Sequence, residues 1–250
     1  MYFLSTLAIF KNEALIIEEW LKHHIWQGVE HFYLINNNST DNYIDILSPY
    51  IDQNLVTLYN LPGKHQQVQH YNSVFTQIRD KTLWLMVIDI DEYYYCTSKI
   101  LKNYILDDID PKYNHIVNTW RVFGSSGYIK QPSNIRESFI HRVQNPHQLY
   151  RPKTNIHKYI IKTKDTKSLA CHNPTCINSQ WNKLINDNYI KLNHYQIMSE
   201  EYFQTVKMSR GAADILAHEH IRNMEYFHKR NLNNIIDLEL KNLSINNYEL

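Results

Sequence analysis

Two carboxylates two residues apart, Asp89 and Asp91, follow the apolar run Leu85-Met86-Val87-Ile88 and lead into Glu92 and Tyr93-Tyr94-Tyr95. On a strand, side chains at i and i+2 share a face. Two acids side by side repel unless a cation or a proton holds them together, so this spacing reads as a hard-oxygen ligand set for Mg2+ or Mn2+. A divalent ion there could hold a diphosphate. An isolated Asp-x-Asp is equally the solvated end of a strand, with Asp91 and Glu92 capping the next turn, so the surrounding elements have to decide.

Those elements read as an open α/β sheet. Residues 4–10 form an apolar strand, residues 13–27 a helix with Leu15, Ile16, Glu19, Trp20 and His23 at helical spacing, and residues 31–35 a second strand. Gly28 suits the helix stop between them. A polar loop, residues 36–41, offers Ser39 or Thr40 as cap of a helix running toward Leu47; a third strand covers 55–59 and a helix 71–79. The nearly continuous apolar run 83–88 is typical of a parallel strand covered on both faces. In such sheets the ligand crevice lies outside the carboxyl ends of the strands, which puts Lys11, Asn12, Glu13, Asn37 and Asp41 on the same edge as Asp89 and Asp91. Past Asp110 the pattern turns to mixed strands and loops, with a strand over 115–122, the turn Phe123-Gly124-Ser125-Ser126-Gly127 and a basic stretch through Lys167. Helical periodicity returns over 200–217 and 218–231, with Ser199 as the N-terminal cap.

At 250 residues the chain can bury a substantial core, and its 5 Gly and 7 Pro leave no room for a low-complexity linker. A net charge of +1 argues against a broad nucleic-acid footprint, although Lys and Arg thicken over 142–167 and 207–210, which suits a small anionic ligand. Three cysteines, Cys96, Cys171 and Cys176, lack zinc-ligand pairing and point to a reducing compartment. The first ten residues lack a basic n-region and read as a buried strand, and no apolar run approaches the roughly 20 residues of a membrane span. A cytoplasmic protein of bacterial or viral source is expected, with peripheral membrane contact through Trp26 and the C-terminal helices as an option.

Five stretches taken in order carry a resemblance. They are Phe10-Lys11-Asn12-Glu13 continued by Glu19-Trp20, His23-His24 and Gly28-Val29-Glu30-His31-Phe32-Tyr33; Asn37-Asn38-Ser39-Thr40-Asp41; Asp89-Ile90-Asp91-Glu92-Tyr93; Trp120-Arg121-Val122-Phe123-Gly124-Ser125-Ser126-Gly127; and Asn193-His194-Tyr195 with Ser199, Glu201, Phe203, Lys207, Arg210 and Gly211. Together they resemble the GT-A type nucleotide-sugar glycosyltransferases, in the family 2-like and family 92-like (formerly DUF23) branch, over residues 4–211. Met198 stands where many relatives have Lys, residues 153–174 follow the family loosely, and the C-terminal end has no clear counterpart. The resemblance implies an α/β GT-A fold, a Rossmann-like nucleotide-binding sheet with helices on both faces, as a single domain over 1–217 with a helical extension over 218–250.

It also implies a metal-dependent, inverting transfer of a hexose from a nucleoside diphosphate sugar, UDP-sugar favoured, to a glycan or glycoconjugate hydroxyl. Lys11, Asn12, Glu13, Asn37 and Asp41 would bind the nucleotide. Asp91 would be the direct ligand of Mn2+ (or Mg2+), Asp89 would reach the ribose or a metal-bound water, and His194 would complete the site. Lys207 and Arg210, three apart on a helix, could both reach the outgoing phosphate. Trp120 and Phe123 could stack on the acceptor sugar while Ser125 and Ser126 sit in a turn that lets backbone approach it. The general base stays open among Glu137, Asp165 and His172, with His172 and Asp165 favoured. Two other readings compete: a non-catalytic, degenerate sugar or nucleotide binder, and a haloacid-dehalogenase type phosphatase, whose Asp-x-Asp normally lies on the first strand.

Overall fold

Alternate apolar residues along the first strands face opposite ways, and both sets are buried, which forces cover on both faces of the sheet. The structure, a computed structural model, describes residues 1–178, 180–210 and 222–247, and the side chains of all of these except 210 and 244–247. Its N-terminal half runs β1 (Tyr2–Phe10), α1 (Ile17–Trp26), β2 (His31–Asn36), α2 (Tyr43–Asp52), β3 (Val56–Asn60), α3 (Gln67–Ile78), β4 (Thr82–Val87), β5 (Glu92–Cys96) and α4 (Leu101–Asp107). Leu4, Ala8, Phe32, Leu34, Trp84 and Met86 join one core with Trp20 and Leu21 of α1, Leu47 of α2 and Leu101 of α4. Leu7, Ile9, Tyr33, Ile35, Leu85 and Val87 join a second with Tyr71, Val74, Phe75 and Ile78 of α3. The expected α/β sheet with helices on both faces is what the chain forms.

After α4 come β6 (His115–Val122), α5 (Ile135–Ser138), β7 (His141–Arg142), β8 (His157–Lys162), β9 (Thr166–Ser168), β10 (Thr175–Cys176), β11 (Lys183–Ile185) and β12 (Ile190–His194). Among the described residues nine strands make the main sheet, in the order β3-β2-β1-β4-β8-β6-β12-β5, with β11 also on β6. Strands β1 to β4 are parallel, β8 runs antiparallel between β4 and β6, and β12 is parallel to β6. The carboxyl ends of β1, β2, β3, β4, β6 and β12 therefore share one edge, where β8 and β5 begin. That topology gathers the site.

Three local expectations change. Helix α1 begins four residues later than its periodicity suggests, because Glu13 to Ile16 make a turn in which the Ile17 N–H donates to the Glu13 carbonyl. Neither Ser39 nor Thr40 caps α2, which starts at Tyr43; the Ser39 hydroxyl instead accepts the Asn12 N–H at 2.9 Å. Ser199 does cap its helix, accepting the Tyr202 N–H at 3.1 Å, but α6 (Glu200–Tyr202) widens into a π-helical turn, Phe203–Lys207, before α7 (Met208–Arg210). The expected continuation of that helix to 217 and the domain boundary at 217/218 lie outside the described residues.

The chain ends with α8 (Met224–Arg230), β13 (Ile235–Ile236) and α9 (Glu239–Asn247). Strand β13 pairs with β7, Asp237 accepts from Arg121 and Arg142, Glu239 accepts from Arg121 at 2.7 Å, and Leu240 enters the main core. Asn231 and Asn233 accept the backbone N–H groups of Ser125 and Ser126 at 2.8 and 3.1 Å. A Cβ on Gly124 would collide with the Asn233 carboxamide. Gly124→Ala is accordingly expected to cost about 1–3 kcal/mol, as overpacking does, read as a lower denaturant midpoint at unchanged slope.

Candidate functional site

Asp89 and Asp91 lie in a turn between β4 and β5, where the Glu92 N–H donates to the Asp89 carbonyl at 3.1 Å. The i, i+2 strand face expected for them is thus absent; the turn brings them together instead. Glu92 braces this turn by accepting the Asp89 N–H at 3.0 Å on a carboxylate that is 0% exposed. Each aspartate has its own lysine. Lys158, at the start of β8 and 1% exposed, lies 2.9 Å from Asp89 Oδ2 and 3.6 Å from Glu92 Oε2. Lys207, closing the π-helical turn, lies 2.6 Å from Asp91 Oδ2 and 4.0 Å from Glu13 Oε1.

Burial would raise the Asp91 carboxyl, but Lys207 and His194 override it and hold it well below the usual carboxylate range. Asp89 is likewise lowered against its burial, by Lys158. For Glu92 burial wins over Lys158, and its carboxyl sits well above the ordinary value. Burial lowers Lys158, yet Asp89 and Glu92 raise it further, so it stays charged. The aspartate turn is therefore an anionic pair neutralised by two ammonium groups.

His194, the last residue of β12, points Nε2 at Asp91 Oδ1 across 3.6 Å, too far for a hydrogen bond, and its Nδ1 is buried without a partner. A carboxylate oxygen and an imidazole nitrogen facing each other are a donor set that suits Mn2+. Among the described residues no group of three His, Cys, Asp or Glu side chains could hold an ion by itself. The remaining ligands would have to be substrate phosphate oxygens and water, as is usual for ions that bind with nucleotides. The residues present fit a metal held jointly with a diphosphate.

The loops after β1, β2 and β3 knit together beside this turn. Asn12, at φ 54°, accepts the Thr40 N–H at 2.7 Å, and Asn37 donates to the carbonyls of Leu61 and Gly63 at 3.0 and 2.8 Å. Asp41 Oδ2 accepts the Ala14 N–H at 2.8 Å while its Oδ1 is buried with no partner. Lys11 is half-buried at the same strand end. Glu13 turns inward instead: it is 2% exposed and accepts the Tyr202 hydroxyl, so its role is to hold Lys207 and Tyr202 rather than to meet a base edge.

On the other side of Asp91, Trp120 packs its ring 4.4 Å from that of His194 and 5.4 Å from that of His172. The His172 Nδ1–H donates to the His157 carbonyl at 2.8 Å, which leaves the lone pair on Nε2. Burial and Lys158 push its pKa down to about 4. Asp165 does not join this group. It follows β8, whose far end pairs with the start of β4, so it lies at the opposite edge of the sheet, where Asn114 donates to it at 3.2 Å. Glu137 is on α5, which packs against α9.

The acceptor-stacking role expected of Phe123 does not fit: it is 2% exposed and packed on Tyr195 with ring centroids 4.8 Å apart. Nor do Ser125 and Ser126 face a substrate. The Ser126 hydroxyl, on a residue at φ 49°, accepts the Ile140 and His141 N–H groups, and Ser125 accepts the Gly127 N–H. Their turn is built to receive the C-terminal asparagines. The side chain of Arg210 lies outside the described residues.

Lys158, Glu92 and Tyr202 are the site residues that sequence reasoning missed. A lone lysine before Tyr159-Ile160-Ile161 was a usable signal, because charges within apolar strands are rarely buried unless paired.

The sequence matches the profile of glycosyltransferase family 92 over residues 4–244. A glycosyltransferase family 92 protein of Ricinus communis is 25% identical over 173 residues, 64% of this chain and 28% of that protein. One of Oryza sativa subsp. japonica is 26% identical over 131 residues, 50% of this chain and 22% of that protein. The chain thus spans well under half the length of these relatives. Among solved structures, Staphylococcus aureus TarS is 14% identical with a TM-score of 0.48, covering 87% of this chain and 41% of that one. A shorter form of TarS, in complex with UDP, gives 16% and 0.43, covering 64% of this chain and 47% of that one. At such scores the likeness carries no functional weight.

Proposed function

We propose that this chain, which belongs to glycosyltransferase family 92, transfers a hexose from a nucleoside diphosphate sugar, UDP-sugar favoured, to a hydroxyl of a glycan or glycoconjugate. The observation that carries this reading is Asp91 facing His194 at the carboxyl edge of the sheet, with Lys207 on the same carboxylate. Asp91 and His194 would hold Mn2+ or Mg2+, which when bound supplies positive charge to the diphosphate. Lys11, Asn12, Asn37 and the open Oδ1 of Asp41 would bind the nucleoside. Asp89, held by Lys158, would meet the ribose, and Lys207 would move from Asp91 toward the departing phosphate. A single displacement with inversion needs a base on the acceptor side. We assign that role to His172, whose Nδ1–H bond to the His157 carbonyl leaves the lone pair on Nε2, and set Asp165 aside for its position at the opposite edge. The phosphatase reading loses its support with the family and with an aspartate turn that follows the fourth strand rather than the first.

Calorimetric binding of UDP, GDP and CDP with and without Mn2+ tests the reading. Tight binding of one nucleotide that needs the ion supports it; a well-folded protein that binds none would point to a degenerate relative. His194→Ala should weaken Mn2+-dependent UDP binding by about 10–100-fold, the range seen when a metal site loses a supporting group. Unchanged affinity would make His194 a packing residue only.

The base assignment predicts a pH profile. A general base works unprotonated, and a folded pKa near 4 keeps His172 neutral from there upward, so kcat/KM should fall only as pH drops through about 4. An acid limb near 6.5 that persists in His172→Asn would assign the proton to another group.

A further inference from the structure

At the end of α8 stands a cation whose described partners are two aromatic rings and one carboxamide. Arg230, the last residue of α8, lays its guanidinium 4.4 Å over the Tyr150 ring and 5.0 Å over the Tyr226 ring, and reaches Gln196 Oε1 at 3.5 Å. Among the described residues no carboxylate is paired with it, whereas Arg136 and Arg142 each hold one and Arg121 holds two. Gln196 is itself spent on the two tyrosines: it accepts the Tyr150 hydroxyl at 3.4 Å and donates to the Tyr226 hydroxyl at 3.1 Å. The planar fork of this half-buried residue is thus oriented with no described carboxylate on it.

The same Tyr150 ring lies 5.8 Å from Trp120, which touches His194. Trp120 is 7% exposed and its Nε1–H is buried with no partner. Buried polar atoms are usually paired, and this donor lies beside a candidate active site, where a ligand can answer it. Indole and guanidinium nitrogens only donate, so that ligand has to accept, and an oxyanion is the acceptor that also answers the charge.

We propose that Arg230, Tyr150 and Trp120 form an oxyanion subsite next to Asp91, for a carboxylate or phosphate carried by the acceptor or for the diphosphate of the donor. The subsite's existence is independent of the transferase reading, and only the naming of donor and acceptor rests on it. It makes the C-terminal segment part of the site. The competing role for Arg230 is a cation–π staple that docks α8.

The full chain, Arg230→Gln and Trp120→Phe are titrated calorimetrically with D-glucuronate and D-glucose, each with and without UDP and Mn2+, and with UDP itself. Binding of glucuronate about tenfold or more tighter than glucose, a preference lost in Arg230→Gln and weakened in Trp120→Phe with UDP affinity unchanged, supports an acceptor-borne anion. A loss of about tenfold in UDP affinity in both variants, with no glucuronate preference in the parent, supports the diphosphate as the anion. Affinities that match the parent in both variants, or a parent that binds neither anion, overturn the subsite and leave the staple. Trp120→Phe keeps the ring and removes only the donor, so it decides the matter if Arg230→Gln does not fold. A parent that binds glucuronate but not UDP with Mn2+ would sink the nucleotide reading alone.

Discussion

Asp91→Asn is expected to lower Mn2+-dependent UDP binding by more than about 100-fold while the protein stays folded, since loss of a direct ligand should exceed the 10–100-fold typical of supporting groups. Asparagine is the informative replacement because Asp91 is 6% exposed and paired with a Lys207 that is 4% exposed. Alanine would leave the buried Lys207 ammonium facing Glu13 across 4.0 Å, and the loss of binding would be mixed with destabilisation. Asp91 is therefore not the solvated strand end that an isolated Asp-x-Asp also suggests. Calorimetry with and without Mn2+ reads the binding effect, and equal affinity in variant and parent would remove Asp91 from the metal site.

The same substitution has a pH signature. The folded pKa of Asp91 is depressed, so its contribution to stability is present above the unfolded value of about 3.9 and is lost as pH falls through the lower folded value. Urea unfolding of parent and Asp91→Asn should differ most at neutral pH and converge in acid. A gap that stays constant as pH falls from about 5 to about 2 would mean that the Lys207 pair does not stabilise the fold.

Lys158→Met should be the most damaging substitution for stability, at about 3–5 kcal/mol, because removing one partner of a buried pair strands the other charge. Here the carboxylate left in the interior is Glu92, fully buried at 3.6 Å, whereas Asp89, at 2.9 Å, is 36% exposed and can be solvated. Burial already raises the Glu92 carboxyl, and removing Lys158, which lowers it, raises it further. A raised folded pKa gives stability that is present at low pH and lost as pH rises, so Lys158→Met should lie closest to the parent in acid. Lys158→Met combined with Glu92→Gln should recover part of the loss, the coupling expected of residues in contact. A double variant no more stable than Lys158→Met would show that Glu92 is not the stranded charge.

The sequence by itself determined the scaffold and the address of the site. Apolar strands alternating with helical periods dictate a parallel sheet covered on both faces, and loops at its carboxyl edge must then share a crevice, which is why Lys11, Asn12, Asn37, Asp41, Asp89 and Asp91 could be grouped from local pattern alone. The ordered motifs added His194 and Lys207, and the fold places both beside Asp91, Lys207 as its ion-pair partner.

What surrounds those acids was decided only by tertiary structure. Lys158 reaches Asp89 across 69 residues, Lys207 reaches Asp91 across 116 and Tyr202 reaches Glu13 across 189. Such contacts depend on an antiparallel β8 inserted between β4 and β6 and on a π-helical turn, and no local periodicity encodes either. The Gly-Ser-Ser-Gly turn shows the same limit from the other side. Its composition permits close approach by any partner, and only the packing of the C-terminal segment makes that partner Asn231 and Asn233 rather than a substrate. Local sequence sets which conformations each segment prefers, whereas the partners of a buried charge follow from how distant segments close on one another.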